Sequence, residues 1–179
     1  MTYVRRVYAF LAAFGWCFVS GAGTAPLDLS LHDLSGTKVR LRDYRGKIVV
    51  LNFWATWCGP CRDEMPVMVD AERAWQPKGV VFIEVSLDEK ETRGNIRQFM
   101  QLFHSNLPVW VGASADDLRK LRLGDGVPDT AFVDERGNIV SRVLGEIRRS
   151  ELEERLMWLT GDRSGPRPAP VVNHMPPQH

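Results

Sequence analysis

Ile48-Val49-Val50-Leu51-Asn52-Phe53-Trp54 is a nearly unbroken apolar run, and it leads almost directly into Cys58-Gly59-Pro60-Cys61. Such a run reads as a central strand buried on both faces. The stretch from about Cys58 to Ala74 carries Met65, Met68, Val69 and Ala71 at helical spacing and reads as a helix, with Pro66 expected to kink it. The cysteines therefore stand where a buried strand ends and a helix begins. Unpaired backbone N–H groups and the helix dipole favour a thiolate on the first of them. Two intervening residues put the second sulfur within bonding reach. Pro60 is tolerated because its missing N–H falls in the first helical turn. Cys58 is expected to be the more exposed sulfur and Cys61 the more buried one.

The remaining pattern alternates strands and helices. Leu29–His32 and Lys38–Leu41 read as short strands around an Asp33–Lys38 turn. Val80–Val85 is a second buried strand, Thr92–Phe103 a helix, Leu107–Val111 a strand and Ala115–Leu121 a short helix. Thr130–Val133 and Ile139–Leu144 flank a turn at Glu135–Asn138. Ser150, with Glu153 three residues on, reads as the capping box of a last helix striped by Leu152, Leu156 and Leu159. The order implies an α/β domain over residues 26–160, with a mixed sheet covered by helices on both faces. Residues 161–179 are Pro-rich and aperiodic, which is expected of a disordered tail. The tail's His174 and His179 are too sparse to argue for metal handling.

Residues 1–25 differ in kind. Arg5 and Arg6 precede an apolar run from Val7 to Val19 and then small residues through Ala25. This reads as a signal peptide cleaved near Gly23–Ala25, or as an uncleaved N-terminal membrane anchor. In either case the domain is expected to be exported. Cys17 lies within the apolar run behind Trp16, which does not suit lipidation. The 179-residue chain has a formal net charge of +1, so no nucleic-acid partner is implied. Three cysteines are too few for a disulfide scaffold. Half of a zinc site is the competing reading of the Cys58/Cys61 pair, but His32, His104, His174 and His179 form no second paired motif.

Phe53-Trp54-Ala55-Thr56-Trp57-Cys58-Gly59-Pro60-Cys61-Arg62, followed by Glu64-Met65-Pro66, resembles the active site of the thioredoxin superfamily. More narrowly it resembles the exported TlpA/ResA-like branch, which includes the cytochrome c maturation thioredoxins. The similarity runs from about Pro26 to Leu159 and includes the Val127-Pro128 loop. The resemblance implies a thioredoxin-like three-layer sandwich with a helix-plus-strand insertion near residues 92–111. It also implies thiol–disulfide oxidoreductase activity without any cofactor or metal. Pro128 matches the family's cis-proline, and Val127 would offer its backbone to an extended segment of a partner.

Several positions stay open on the same resemblance. Asn52 stands where cytoplasmic thioredoxins have a buried Asp, so a base assisting Cys61 is expected elsewhere, at Asp88 or Glu89. Those two acids are equally readable as a solvated turn. Arg62 reads either as a cation that lowers a thiol pKa or as an ordinary surface residue. Trp54 reads as core and Trp57 as a surface rim. Asp129, where the family often has Thr, is expected to raise the Cys58 pKa or to bias partner choice.

Gly59-Pro60 is the thioredoxin dipeptide and leans towards a reductant of exported disulfide-bearing proteins. Apocytochrome c and copper-site assembly factors are the branch's usual clients. A membrane thiol transporter of the DsbD/CcdA type would supply electrons, and the protein is expected to be a monomer. The rival readings are an exported oxidant or isomerase, a peroxiredoxin-type peroxidase, and a non-catalytic thioredoxin-fold binding module.

Overall fold

A computed structural model describes residues 28–161 and 163–175. The expected leader at 1–25, with Cys17, lies outside the described residues, as does the end of the chain with His179.

The first strands, β1 (Ser30–Asp33) and β2 (Lys38–Arg40), form a hairpin. β3 (Ile48–Trp54) runs into helix α1 (Gly59–Trp75), and β4 (Val80–Ser86) follows. Next come α2 (Ile96–Leu102), β5 (Val109–Val111) and α3 (Ala115–Lys120). β6 (Asp129–Val133) and β7 (Ile139–Leu144) make a second hairpin, closed by α4 (Arg149–Thr160) and a last strand, β8 (Val171–Asn173). The eight strands form one sheet in the order β2-β1-β5-β4-β3-β6-β7-β8. The β3–β4, β4–β5 and β7–β8 pairs are parallel and the others antiparallel.

Alternation along the strands divides the core. Ile48, Val50 and Trp54 of β3 face the side packed by α1, α2 and α4, with Met65, Met68, Phe99, Leu152 and Leu156. Val49, Leu51 and Phe53 face the other side, with Leu118 and Leu121 from α3. All seven β3 residues are buried, which explains the unbroken apolar run. Asn52 is its polar exception, on the α1 side. α1 continues through Pro66. Pro66 has no N–H, so the Arg62 carbonyl loses its helical donor there.

Three expectations need correction. The helix read over 92–103 is shorter, because Arg93–Asn95 form a 3-10 turn before α2. Glycine at position 94 and the absence of a side-chain cap weaken the start of a full helix there. The last helix starts two residues earlier than read and has no full capping box: its N-cap is Arg148, whose N–H donates to Glu151 at 3.0 Å, and Ser150 lies inside the helix.

The third correction concerns the tail, which is ordered over 163–175 and extends the sheet. Arg155 on α4 is buried, and its guanidinium must find acceptors there. It donates to Ser141 Oγ (2.8 Å), Glu151 O (3.0 Å) and Ala169 O (3.2 Å). Ser141 Oγ in turn donates to Ala169 O at 3.1 Å. That anchor starts β8 along the free edge of β7, with Arg142 N donating to Pro170 O and His174 N to Leu144 O. His174 Nε2 then reaches Glu151 at 2.8 Å. Composition alone hides such long-range partners.

Arg155→Leu should therefore release the tail. Limited proteolysis is expected to cut residues 163–175 faster than in wild type, and urea unfolding to show a loss of about 2–4 kcal/mol. Wild-type resistance of the tail in this variant would show that Arg155 is not its anchor.

Candidate active site

Cys58 is the N-cap of α1, with extended backbone (φ −87°, ψ 115°) that turns the chain from β3 into the helix. Its Sγ accepts a hydrogen bond from Cys61 N at 3.2 Å. This is the helix-terminal donor expected to favour a thiolate. Cys58 and Cys61 are joined as a disulfide with a Cα–Cα separation of 5.3 Å. Cys58 is 6% exposed and Cys61 1% exposed. Pro60 lies in the first turn, where no donor is lost.

The Val127–Pro128 peptide is cis, and the Val127 carbonyl oxygen stands 3.5 Å from Cys58 Sγ. Gly145 helps fix this loop. Its N–H is shared between Pro128 O (2.9 Å) and Asp129 Oδ1 (3.0 Å). Gly145 has φ +87°, and a Cβ there would meet His174 Cβ at 3.1 Å, so only glycine fits comfortably. Asp129 also accepts from Gly124 N at 2.7 Å. It is buried, and burial pushes its carboxyl up to about 6 despite both amide bonds. Its oxygens tie the loop before Pro128 to the end of β7, a structural use that the sequence does not reveal.

Asp88 is buried and fully engaged. It accepts from Thr56 N (3.0 Å), Thr56 Oγ1 (2.6 Å) and Ser86 Oγ (2.8 Å). It shapes the turn that presents Trp57, which is 65% exposed. Glu89 is exposed. The Asp88 side chain thus hydrogen-bonds Thr56 and Ser86, and Cys61 is not among its partners. Arg62 is exposed and stands over the Phe99 ring at 5.5 Å. A groove of about 610 Å³ opens beside the pair, lined in part by Trp57, Arg62, Phe99 and Leu102.

The acid beside Cys61 is Glu64, which sequence reasoning passed over. It lies three residues on along α1, on the same buried side as Cys61, Met65 and Met68. That inward spacing was the available signal. Glu64 Oε1 accepts from Asn52 Nδ2 at 2.6 Å, and Oε2 accepts from Ile147 N at 3.0 Å. Burial raises its carboxyl to about 7, against the lowering effect of those bonds and with smaller upward contributions from Glu146 and Asp129. Such a group exchanges protons near neutral pH. Among the described residues, no cluster of three or more His, Cys, Asp or Glu side chains is arranged to hold a metal.

A cysteine pair that can open and close at the head of α1, faced by a cis-proline loop, places the chain among thioredoxin-fold thiol–disulfide redox proteins. The chain belongs to the AhpC/TSA family, whose model matches residues 22–142. It is 34% identical over 128 residues to a thiol-disulfide oxidoreductase ResA of Bacillus cereus, covering 72% of each protein. To ResA of Geobacillus thermodenitrificans it is 34% identical over 138 residues, covering 77% of each. A crystal structure assigned as thiol:disulfide interchange protein DsbE from Chlorobium tepidum superposes with a TM-score of 0.67 at 28% identity, over 76% of this chain and 95% of that one. The exposed lipoprotein thioredoxin Etrx1 of Streptococcus pneumoniae gives 0.62 at 26%, over 74% and 100%. The protein is thus a thiol–disulfide oxidoreductase.

The raised Glu64 carboxyl has a consequence for stability. The folded protein holds a proton that the unfolded chain has already released. The contribution is complete below about pH 4.5 and is lost as pH rises through about 7. Glu64→Gln removes this loss. Urea unfolding of the oxidised variant should gain about 3 kcal/mol on wild type between pH 4.5 and pH 8. Parallel pH profiles for the two proteins would show that Glu64 does not titrate in this range.

Proposed function

We propose that the protein reduces disulfides of exported client proteins, with Cys58 as nucleophile, Cys61 as resolving thiol and Glu64 as the proton acceptor for Cys61. The observation that carries this reading is the Cys58 sulfur, held at the helix N-terminus and 3.5 Å from the Val127 carbonyl. In the reduced protein the Cys58 thiolate attacks one sulfur of a client disulfide. The other client sulfur leaves as a thiolate and takes a proton, and a mixed disulfide remains. Cys61 then passes its proton to Glu64 and attacks Cys58 Sγ. The client is released with its second thiol, and Cys58–Cys61 closes. Two electrons have moved from the dithiol to the client.

The Val127 backbone supports an extended client segment by strand addition, and Pro128 holds the loop in place for it. Trp57 and the adjacent groove offer apolar surface to the flanking client residues. Gly59 and Pro60 keep the turn compact around the sulfurs. Asp88 serves indirectly, by shaping the Thr56–Trp57 turn. Export is supported by the leader-like residues 1–25. Outside the cytoplasm the oxidised dithiol needs a donor, and a membrane thiol transporter of the DsbD/CcdA type has the matching chemistry. Apocytochrome c and copper-site assembly factors are the client classes proposed.

Insulin disulfide reduction should be abolished in Cys58→Ser, while Cys61→Ser should accumulate a covalent mixed disulfide. Glu64→Gln should slow the second release of thionitrobenzoate from DTNB on the order of a hundredfold at pH 7, with the first release little changed. The Cys58–Cys61 reduction potential is expected near that of thioredoxin, about −270 mV; a value near about −120 mV would reverse the direction of electron flow.

A further inference from the structure

Glu84 is a second buried acid, and the reaction above makes no use of it. It lies at the middle of β4, is 1% exposed, and neither carboxyl oxygen has a hydrogen-bond partner among the described residues. An ionised carboxylate there would lack any compensating donor, a state that costs far more than protonation. Burial accordingly pushes Glu84 well above the usual carboxylate range, and the charge of Glu64 pushes it in the same direction.

Its neighbours are set by register. Glu84 is paired with Asn52 on β3 and with Val109 on β5. Asn52 is paired in turn with Thr130 on β6. Asn52 directs its Nδ2 group away from β4, to Glu64 Oε1 at 2.6 Å and Thr130 Oγ1 at 3.2 Å. Its Oδ1 has no partner among the described residues. Two orphaned groups, the Asn52 oxygen and the Glu84 carboxyl, thus occupy adjacent strands about 4.8 Å apart. An amide oxygen only accepts, so a donor is what this pair lacks. A protonated carboxyl is such a donor, and the register sets Glu84 directly beside Asn52 on the same face of the sheet. An ionised Glu84 would instead compete with Glu64 for the amide N–H groups.

We propose that Glu84 is a positioning residue of the redox centre: as a neutral acid it donates to Asn52 Oδ1 and so holds the Asn52 amide with its N–H groups on Glu64, the group that serves Cys61. The inference rests on the Glu64 role proposed above. The charged or titratable groups that act on this network are Glu64 on α1, which acts on Glu84, and Glu146 before α4 and Asp129 on β6, which act on Glu64, Asp129 from the opposite face of the sheet beside Phe53. Glu84 acts only through Asn52. Its proton stays in place throughout the redox cycle.

The test is the pH dependence of the second thionitrobenzoate release, measured on the reduced full-length chain. Glu84→Gln keeps a donor and should keep the wild-type midpoint. Glu84→Leu removes the donor, frees the Asn52 amide to turn, and weakens its bond to Glu64. The midpoint should then rise by about one pH unit, the size of one charge-assisted hydrogen bond. Leucine belongs among Val80 and Phe82, and an apolar replacement of a buried acid is tolerated or stabilising, so folding is retained. A wild-type midpoint in Glu84→Leu overturns the inference, as do equal shifts in both variants or a downward shift in either. If Glu64→Gln itself retains the midpoint, the Glu64 reading fails and this inference fails with it. Loss of the midpoint in Glu64→Gln beside an unshifted Glu84→Leu overturns this inference alone.

Discussion

The amide N–H of Cys61, directed at Cys58 Sγ across 3.2 Å, is the contact around which the rest is arranged. It exists because β3 ends where α1 begins, and because the first turn of a helix has donors to spare. Placing that junction requires a strand that cannot shift. β3 sits between β4 and β6, buried along its whole length, with its two faces packed into different halves of the core. A one-residue slip would send Asn52 into the apolar side under α3 and remove it from Glu64. The strand's register and the chemistry of the sulfurs are therefore one constraint.

Polar groups buried under α1 are the second organising feature. Asn52, Glu64, Glu84 and Thr130 share one face of the sheet, in a layer otherwise made of Ile48, Val50, Trp54 and Phe82. A charge is costly in such a place, so protonation is governed by the few hydrogen bonds available. Glu64 has two donors and is pushed up to about 7, whereas Glu84 has none among the described residues and is pushed well above the usual carboxylate range. Two acids a few residues apart in space thereby take different roles from environment alone. Asp129 gives a third outcome: its amide partners make it a tie between loops.

The far edge of the sheet is joined to the same centre. β8 lies along β7 and His174 packs against Gly145, whose N–H holds both Pro128 and Asp129. Met175 reaches the Gly124–Gly126 stretch that precedes the cis-proline. The tail is thus structurally continuous with the loop facing Cys58, and its order depends on a buried guanidinium more than on its own composition.

Elements with strong local periodicity were legible in the chain itself. The β3 run, the α1 stripe, the β6–β7 hairpin and the Cys58/Cys61 junction follow from the spacing of apolar residues and from the chemistry of helix ends, which are properties of neighbours in sequence. The acid proposed to serve Cys61 was not readable in the same way: Asp88, Glu89 and Glu64 are all acids near the motif. Only the packing shows that Asp88 is engaged by Thr56 and Ser86, that Glu89 faces water, and that Glu64 points inward. The tail differs for the same reason, since the partners of Arg155 and the open edge of β7 lie far away in sequence. Sequence by itself determined the strand-to-helix junction and its sulfurs, because local pattern dictates local backbone. Tertiary structure decided which buried groups keep their protons and what orders the tail, because desolvation and hydrogen-bond supply depend on segments that meet only in the folded chain.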